Sequence, residues 1–392
     1  MKNISVLLVG TGMYACGRGT DGYGTVLPAL FEWNKNNRLG SICIAGTSPT
    51  GLKDTKKRAD KLLSLMGAKA SICYFPAGPK RDKKAYLKAI KEIPRPACAI
   101  IAVPDNLHRE IAGRAVEAGF HTLVVKPLAP TVKEVKELVQ IQKRSKVYCA
   151  VEFHKRFDLA NLKLRDTIAE GKIGDPLYFV VEYSQRKSVP SERFIKWVKT
   201  TNVFQYLGIH YVDIIHFVTK ATPKRAMAVG QKGWLASKGI DTYDSIQGVI
   251  EWEMPSGKKF SSHILTNWID PEKTSAMSDQ KIKVIGTKGR IESDQKGRGL
   301  KILSDEKGIE EPNPYFCSAY GREGHVSYHG YGIESIHQFL KDVVRIENKT
   351  LKIKDLQNKR PTFENAVLPT AVLEAINKSL ASDSKCVTIH GV

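Results

Sequence analysis

Two side chains stand where a proton and an oxygen can be handled. Lys126, in Lys126-Pro127, closes the apolar run His121–Val125. A lysine at the end of a strand can hydrogen-bond a substrate hydroxyl and stabilise the alkoxide as hydride leaves. His210 lies in Tyr206-Leu207-Gly208-Ile209-His210-Tyr211-Val212-Asp213. Imidazole titrates near neutrality, so it can take or return the proton that accompanies hydride transfer. If this stretch is helical, Tyr206, His210 and Asp213 share one face at i, i+4 and i+7, and Tyr206 joins the candidate catalytic set. The plainer readings are a solvated lysine and a histidine buried for packing. Placement after a strand argues against the first. The second suits His216 better than His210.

Hydride chemistry needs a carrier. Gly10-Thr11-Gly12-Met13-Tyr14-Ala15 follows the strand Ser5–Val9 and spells G-x-G-x-x-A. The first glycine permits a tight turn, the second lets backbone approach a pyrophosphate, and the small third position lets helix and strand pack closely. Gly17-Arg18-Gly19-Thr20-Asp21-Gly22 repeats the pattern without a strand in front. It reads as an extension of the loop, with Arg18 either on a phosphate or in solvent. The second strand ends in Gly46-Thr47-Ser48, with Lys53, Lys56, Lys57 and Arg58 close behind and no acid before Asp54. Hydroxyls and cations suit a 2′-phosphate better than bare ribose hydroxyls. NADP(H) is therefore favoured, with NAD(H) still open. The alternative is that these cations are only the wet face of a helix. Val103-Pro104-Asp105-Asn106-Leu107-His108 closes another strand, 18 residues before Lys126.

The elements that must position these residues alternate in the first third. Strands are expected at Ser5–Val9, Ser41–Ala45, Ser71–Tyr74, Cys98–Val103, His121–Val125 and Val147–Val151. Helices fall between them, among them Val26–Asn34, Thr55–Met66 and His108–Ala118. This alternation predicts a Rossmann-type, doubly wound parallel sheet, with ligands at the carboxyl ends of its strands. Beyond about residue 158, long strand patterns follow one another with few helices between: Leu177–Arg186, Arg225–Gln231, Ser245–Glu253, Lys258–Asn267, Lys281–Gly286 and Leu300–Ser304. Met254-Pro255-Ser256-Gly257 reads as a hairpin turn. The expectation is α/β followed by α+β: a dinucleotide-binding domain over 1–126, and a large, mostly antiparallel open sheet over 127–392 for substrate and oligomer contacts.

Bulk properties narrow the function. A chain of 392 residues with 42% hydrophobic and 26% charged residues suits two globular domains. No apolar run reaches the ~20 residues of a membrane helix. The first strand begins almost at once, leaving no room for a leader, so a cytoplasmic location is expected. Seven cysteines, an odd number without a C-x-x-C pair, suggest neither a disulfide framework nor a metal site. Cys43, Cys73, Cys98 and Cys149 read as small buried hydrophobes. The net charge of +21 is spread along the chain, with no zinc-finger or RNP pattern. That disfavours nucleic acid and leaves a lysine-rich surface able to draw phosphate-bearing small molecules.

Taken together, the glycine turn, Val103-Pro104-Asp105-Asn106-Leu107-His108, Lys126-Pro127 and Gly208-Ile209-His210-x-x-Asp213 resemble the family of glucose–fructose oxidoreductase, inositol dehydrogenase and the rhizopine-catabolism protein MocA. Glu152-Phe153-His154-Lys155-Arg156-Phe157-Asp158 resembles the stretch that follows the family's last nucleotide-domain strand. The resemblance implies a tightly held NAD(P), a sugar, cyclitol or polyol substrate, and a dimer or tetramer through the second sheet. It makes Lys126 the catalytic lysine and His210 the acid–base histidine. The expected cofactor contacts are Gly10, Thr11, Gly12, Met13, Tyr14, Thr47, Ser48, Val103, Pro104, Asn106, His108, Lys126 and Arg156. Three departures stand out: Val125 where the family usually has Glu, a longer loop after the first glycines, and Tyr206 where it usually has Asp. A phenol carries no charge at neutral pH. Tyr206 therefore keeps two alternatives in view: reduction of an imine or conjugated double bond, and a non-catalytic, cofactor-bound sensor. Asn267, Trp268, Asp270, Asp279, Gln280 and Lys281, with Tyr315, Tyr328, His329 and Tyr331, suit sugar stacking and sheet-edge contacts equally.

Overall fold

The five residues Ser5–Val9 are all buried, as a strand covered on both faces must be. In the computed structural model, which describes residues 3–195, 197–322 and 324–391, this strand, β1, is central to a sheet. Its partners are β2 (Ser41–Ala45), β3 (Ser71–Phe75), β4 (Ala97–Ile101), β5 (His121–Val125) and β6 (Cys149–Glu152). All pairs are parallel and the order is β3-β2-β1-β4-β5-β6. The chain reverses direction of travel between β1 and β4, so the switch-point crevice opens at the carboxyl end of β1, beside Gly10.

The helices of this unit are α1 (Met13–Cys16), α2 (Val26–Asn37), α3 (Pro49–Met66), α4 (Ala85–Glu92), α5 (His108–Glu117) and α6 (Val132–Ser145). Helix α3 starts before the expected Thr55. Ser48 accepts a hydrogen bond from the Gly51 amide at 3.4 Å, and Pro49 suits the first turn. The helix after the glycine turn is interrupted. It stops after one turn at Gly17, whose φ is 71°, and resumes as α2. The loop between is closed at its neck by glycines: a Cβ on Gly17 would lie 2.1 Å from Gly22 O, and one on Gly24 2.6 Å from Tyr14 O. Arg58 of α3 pins it by donating to Thr20 O and Gly22 O at 3.0 and 2.9 Å.

The cysteine reading needs one correction. Cys43 and Cys73, expected as separate buried thiols, are directly opposed in the β2–β3 register and form a disulfide. Their Cα atoms are 4.6 Å apart, within bonding range. Cys98 and Cys149 are buried free thiols as expected.

The second unit carries α7 (Leu159–Ala169), β7 (Pro176–Arg186), α8 (Ile209–Thr219), β8 (Thr222–Gln231), α9 (Trp234–Ser237), β9 (Ser245–Glu253), β10 (Lys259–Asp270), β11 (Ser278–Gly286) and β12 (Arg290–Asp294). Its sheet runs β12-β11-β7-β10-β9-β8, extended by the short strand Val387–Thr388. The β7–β10 pair is parallel and the other pairs antiparallel. Burial alternates strictly along β9, the mark of a sheet with one covered face. The expected hairpin turn is present: the Met254 amide bonds Lys258 O at 2.8 Å, and Gly257 has φ 80°. The strand expected at Leu300–Ser304 shrinks to Ile302–Ser304, paired with Gly308–Glu310 in a separate ribbon.

The boundary expected at 126/127 is replaced by interleaving. One unit is Met1–Ala129, Lys133–His154 and Tyr315–Ala366; the other is Pro130–Val132, Lys155–Pro314 and Val367–Val392. The cause is packing. In α10 (Tyr331–Glu347), Ile333, Ile336, Phe339, Leu340 and Val343 join the core formed by Val6, Leu8 and Phe31, which returns a distant segment to the first unit. The last helix, α11 (Val367–Ala381), belongs to the second unit. No helix among the described residues is long and apolar enough to cross a membrane, and no group of three or more His, Cys, Asp or Glu among them could hold a metal.

Candidate functional site

The glycine turn fits a dinucleotide. Gly10 has φ 114°, and a Cβ there would lie 2.0 Å from Ala102 O, so no other residue fits without moving β4's continuation. A Cβ on Gly12 would meet nothing within 4 Å. That open space is what backbone approach to a pyrophosphate requires. Met13 and Tyr14 follow in α1. Thr47 and Ser48 sit at the end of β2, with Ser48 as the cap of α3. Arg18, from the extended loop, donates to Thr11 Oγ1 at 3.2 Å. A Cβ on Gly51 would come within 2.3 Å of Arg18 Nη1, so the guanidinium rests on the first turn of α3. Asp54 is paired with Arg58 at 3.1 Å. The structure thus gathers Thr11, Thr47, Ser48 and Arg18 around the end of β2.

The second expected group shares the carboxyl edge of the same sheet. Val103 and Pro104 follow β4, and Asp105–Leu107 make a single turn before α5. Pro104 and Asn106 are exposed, and Lys126 is half-buried just past β5. His108, expected to line the cofactor, is also a brace. It is fully buried, with Nδ1 2.7 Å from Pro127 O and Nε2 2.9 Å from Val103 O. Burial, opposed chiefly by the Asp105 charge, lowers its pKa. The ring therefore ties the Val103–Pro104 segment to the Lys126-Pro127 segment and positions Lys126.

In the second unit, His210 is 4% exposed on α8 and lies 6.4 Å from the Tyr183 ring, centroid to centroid. The expected helical stretch from Tyr206 to Asp213 is present, but it opens on a wider turn. Residues Phe204–Gly208 form a wide turn with the Ile209 amide bonded back to Phe204 O, and the α-helix begins only at Ile209. Such a turn holds an extra residue. Tyr206 packs among Phe194, Trp197 and Trp268, with centroids 5.3, 5.2 and 5.8 Å away. Burial pushes its phenol far up. Asp213 is held by Arg156, which was expected at the cofactor, through bonds of 2.8 and 2.5 Å.

Sequence reasoning passed over Lys155. It is 2% exposed, donates to Gln280 Oε1, and lies 5.3 and 5.0 Å from the ring centroids of Tyr183 and Tyr211. Burial pulls its amine down to about 7, against the Asp158 charge and with help from Arg298. The only signal for it is its place in the segment that follows β6. Of the polar residues noted near strand ends, Gln280 is thus engaged by Lys155, and Trp268 is fully buried with its indole N–H on Gln185 at 3.3 Å.

Two family models match the chain: an oxidoreductase family with an NAD-binding Rossmann fold over residues 51–153, and the GFO/IDH/MocA C-terminal domain over 161–292. The chain belongs to the Gfo/Idh/MocA family. Among curated members, it is similar to 1,5-anhydro-D-fructose reductase of Ensifer adhaerens, 26% identical over 193 residues, which are 49% of this chain and 55% of that protein. The chain thus matches about half the length of that relative. Solved structures of Gfo/Idh/MocA type share its whole fold. GenD2 from gentamicin A biosynthesis, in complex with NAD, superposes with TM-score 0.73 at 16% identity, covering 100% of this chain and 97% of that one. Scyllo-inositol dehydrogenase from Lactobacillus casei, with bound NAD(H) and scyllo-inositol, gives 0.67 at 16% identity, covering 99% of each chain.

Proposed function

We propose that this Gfo/Idh/MocA chain is an NAD(P)-dependent oxidoreductase acting on a secondary hydroxyl, or the matching ketone, of a sugar, cyclitol or sugar derivative. The observation that carries the reading is Lys126 at the carboxyl edge of a doubly wound sheet, on a segment fixed by the buried His108, with a dinucleotide-type glycine turn on the same sheet. The dinucleotide, when bound, accepts or supplies the hydride. Lys126 polarises the substrate oxygen, and its positive charge favours the alkoxide form. His210 handles the proton. The named relatives act on inositols and anhydrofructose, which supports the substrate class.

For the cofactor we favour NADP(H). Thr47, Ser48 and Arg18 supply hydroxyl and guanidinium donors at the end of β2, the groups a 2′-phosphate needs. For assembly we favour a dimer or tetramer through the sheet of the second unit. One cross-strand row on its less buried face reads Val180, His263, Val249 and Met227, apolar enough to suit a second copy.

The test is a panel of polyols, ketoses and phosphorylated or nucleotide-linked sugars, with imines and conjugated double bonds beside them, scored by nicotinamide absorbance. Turnover of at least one polyol or ketose is expected. Lys126→Met and His210→Ala should each lower kcat about a hundred- to ten-thousand-fold. Unchanged turnover in both variants sinks the roles, and turnover of imines or conjugated double bonds alone replaces the substrate class.

A further inference from the structure

The carboxyl edge of the first unit's sheet holds a carboxylate–imidazole pair that the roles above leave unused. Glu152 is the last residue of β6 and is 3% exposed. One of its oxygens accepts from Ser335 Oγ at 2.7 Å, and the other lies 2.9 Å from His154 Nδ1. Three aromatic rings pack against the His154 ring. It stacks on Tyr14 at 6.2 Å and 21°, and on Tyr331 at 5.8 Å and 23°, with Phe316 tilted against it at 5.1 Å.

The placement is what gives the pair meaning. In the β5–β6 register Val125 stands opposite Glu152, so Lys126 and His154 leave adjacent strands at the same edge. Tyr14 belongs to the turn after β1, on the far side of β4 and β5 in the sheet order. The His154 ring therefore reaches back along the edge toward the glycine turn, where open α/β sheets take their ligands. Stability does not account for such a pair, because burying two ionisable groups is often no better than apolar packing of the same volume. The other histidine–carboxylate ion pair among the described residues, His121–Glu347 at 3.2 Å, sits at the opposite, amino end of β5. The acid nearest His210 in sequence, Asp213, is gripped by Arg156.

We propose that His154, oriented by Glu152, is a second proton-handling side chain at the ligand edge of the nucleotide-binding unit, serving the same reaction as Lys126. In the oxidative direction the substrate O–H bond breaks, and its proton, handled first by His210, passes on through water to the His154 imidazole. The C–H bond breaks with its electron pair, hydride goes to the dinucleotide, and the C=O bond forms. Glu152 stabilises the resulting imidazolium. Within this unit the groups facing the pair are Tyr14 from α1, Cys317 from the segment before the Ser318–Arg322 strand, and Tyr331 and Ser335 from α10. Burial holds Tyr14 and Cys317 protonated, the thiol up at about 11, so neither supplies a competing charge near neutrality. The inference rests on the oxidoreductase reading above, but part of its test does not depend on turnover.

That test begins with the full chain labelled at histidine Cε1 and titrated by NMR, the His154 signal being assigned by its loss in His154→Gln. The pH course of that signal should differ between wild type and Glu152→Gln, where the stabilising anion is gone. With a substrate in hand, His154→Gln should lower kcat about a hundred- to ten-thousand-fold and erase the acidic limb of the pH profile, with NADPH binding unchanged. Glu152→Gln should move that limb down by the same shift seen in the titration. A His154 signal with the same pH course in wild type and Glu152→Gln overturns the inference, as does a His154→Gln enzyme within twofold of wild type with its limb in place. Should wild type turn over nothing on the panel, the oxidoreductase reading fails and the titration alone decides for His154. Should His154→Gln not fold, the limb shift in Glu152→Gln decides instead.

Discussion

Arg156 and Asp213 form a two-pronged ion pair, Nε to Oδ2 at 2.8 Å and Nη2 to Oδ1 at 2.5 Å, with the carboxylate side chain 1% exposed and the guanidinium 11%. A sequence-based reading sends Arg156 to the cofactor. The pair anchors α8, and with it His210, to the segment that leaves β6. Removing one partner strands a buried charge. Arg156→Ala should destabilise the protein by about 3–5 kcal/mol in urea unfolding. Arg156→Lys should recover only part, because an ammonium cannot make the fork. NADPH affinity of the folded Arg156→Lys protein should stay within about threefold. A large loss of affinity with intact stability would restore the cofactor role.

Arg18 makes the opposite case, since it is exposed and costs the fold little to lose. If the guanidinium on α3's first turn meets a 2′-phosphate, Arg18→Ala loses one charge-assisted contact, worth about 1.5–3 kcal/mol. That is a rise of about ten- to hundredfold in the NADPH dissociation constant. NADH binding should stay within about threefold. Equal losses for the two cofactors, read by fluorescence titration, would refute a 2′-phosphate site there.

Tyr206 is expected to be silent in catalysis. Its ring is enclosed by Phe194, Trp197 and Trp268, and burial keeps its phenol protonated. Tyr206→Phe should leave kcat and its pH profile within about threefold of wild type. Tyr206→Ala should cost about 1–3 kcal/mol, less than a fully buried ring, because the side chain is half-buried. A steep loss of kcat in the phenylalanine variant would put Tyr206 back among the reacting groups.

Lys155 gives stability a pH signature. Its folded pKa is about 7, against about 10.4 in an unfolded chain. Between those values the unfolded state holds a proton that the folded state lacks, so this group makes stability rise with pH. Below about 7 both states are protonated and the contribution is flat at its lowest. Urea unfolding of wild type and Lys155→Met at pH 7.5 and 9.5 should show wild type gaining relative to the variant. The gain is up to about 1.4 kcal/mol per pH unit. Parallel slopes would mean that the amine stays charged when buried.

What could be read along the chain was whatever depends on near neighbours. Ser5–Val9 and Ser245–Glu253 have the expected bounds, because a buried run and a strict alternation are local patterns. The Met254–Gly257 turn, the glycine turn after β1 and the place of Lys126 after β5 are legible for the same reason. The wide turn around Tyr206 was not, since it shows only in the Ile209 amide reaching back to Phe204 O.

Tertiary structure decided what depends on partners far away in sequence. His108 became a brace because Val103 O and Pro127 O converge on its two nitrogens. Cys43 met Cys73 only through the register of β2 and β3. The 126/127 boundary dissolved because α10, 200 residues on, buries its apolar face against β1 and α2. Glu152 and His154 acquired a setting only when Ser335, Tyr331 and Tyr14 closed around them. Sequence determined the elements and the kind of ligand edge they make, through periodicity and turn chemistry. The partners of each buried polar group were set by packing, since desolvation makes an unsatisfied group costly and the satisfying atom can come from anywhere in the chain.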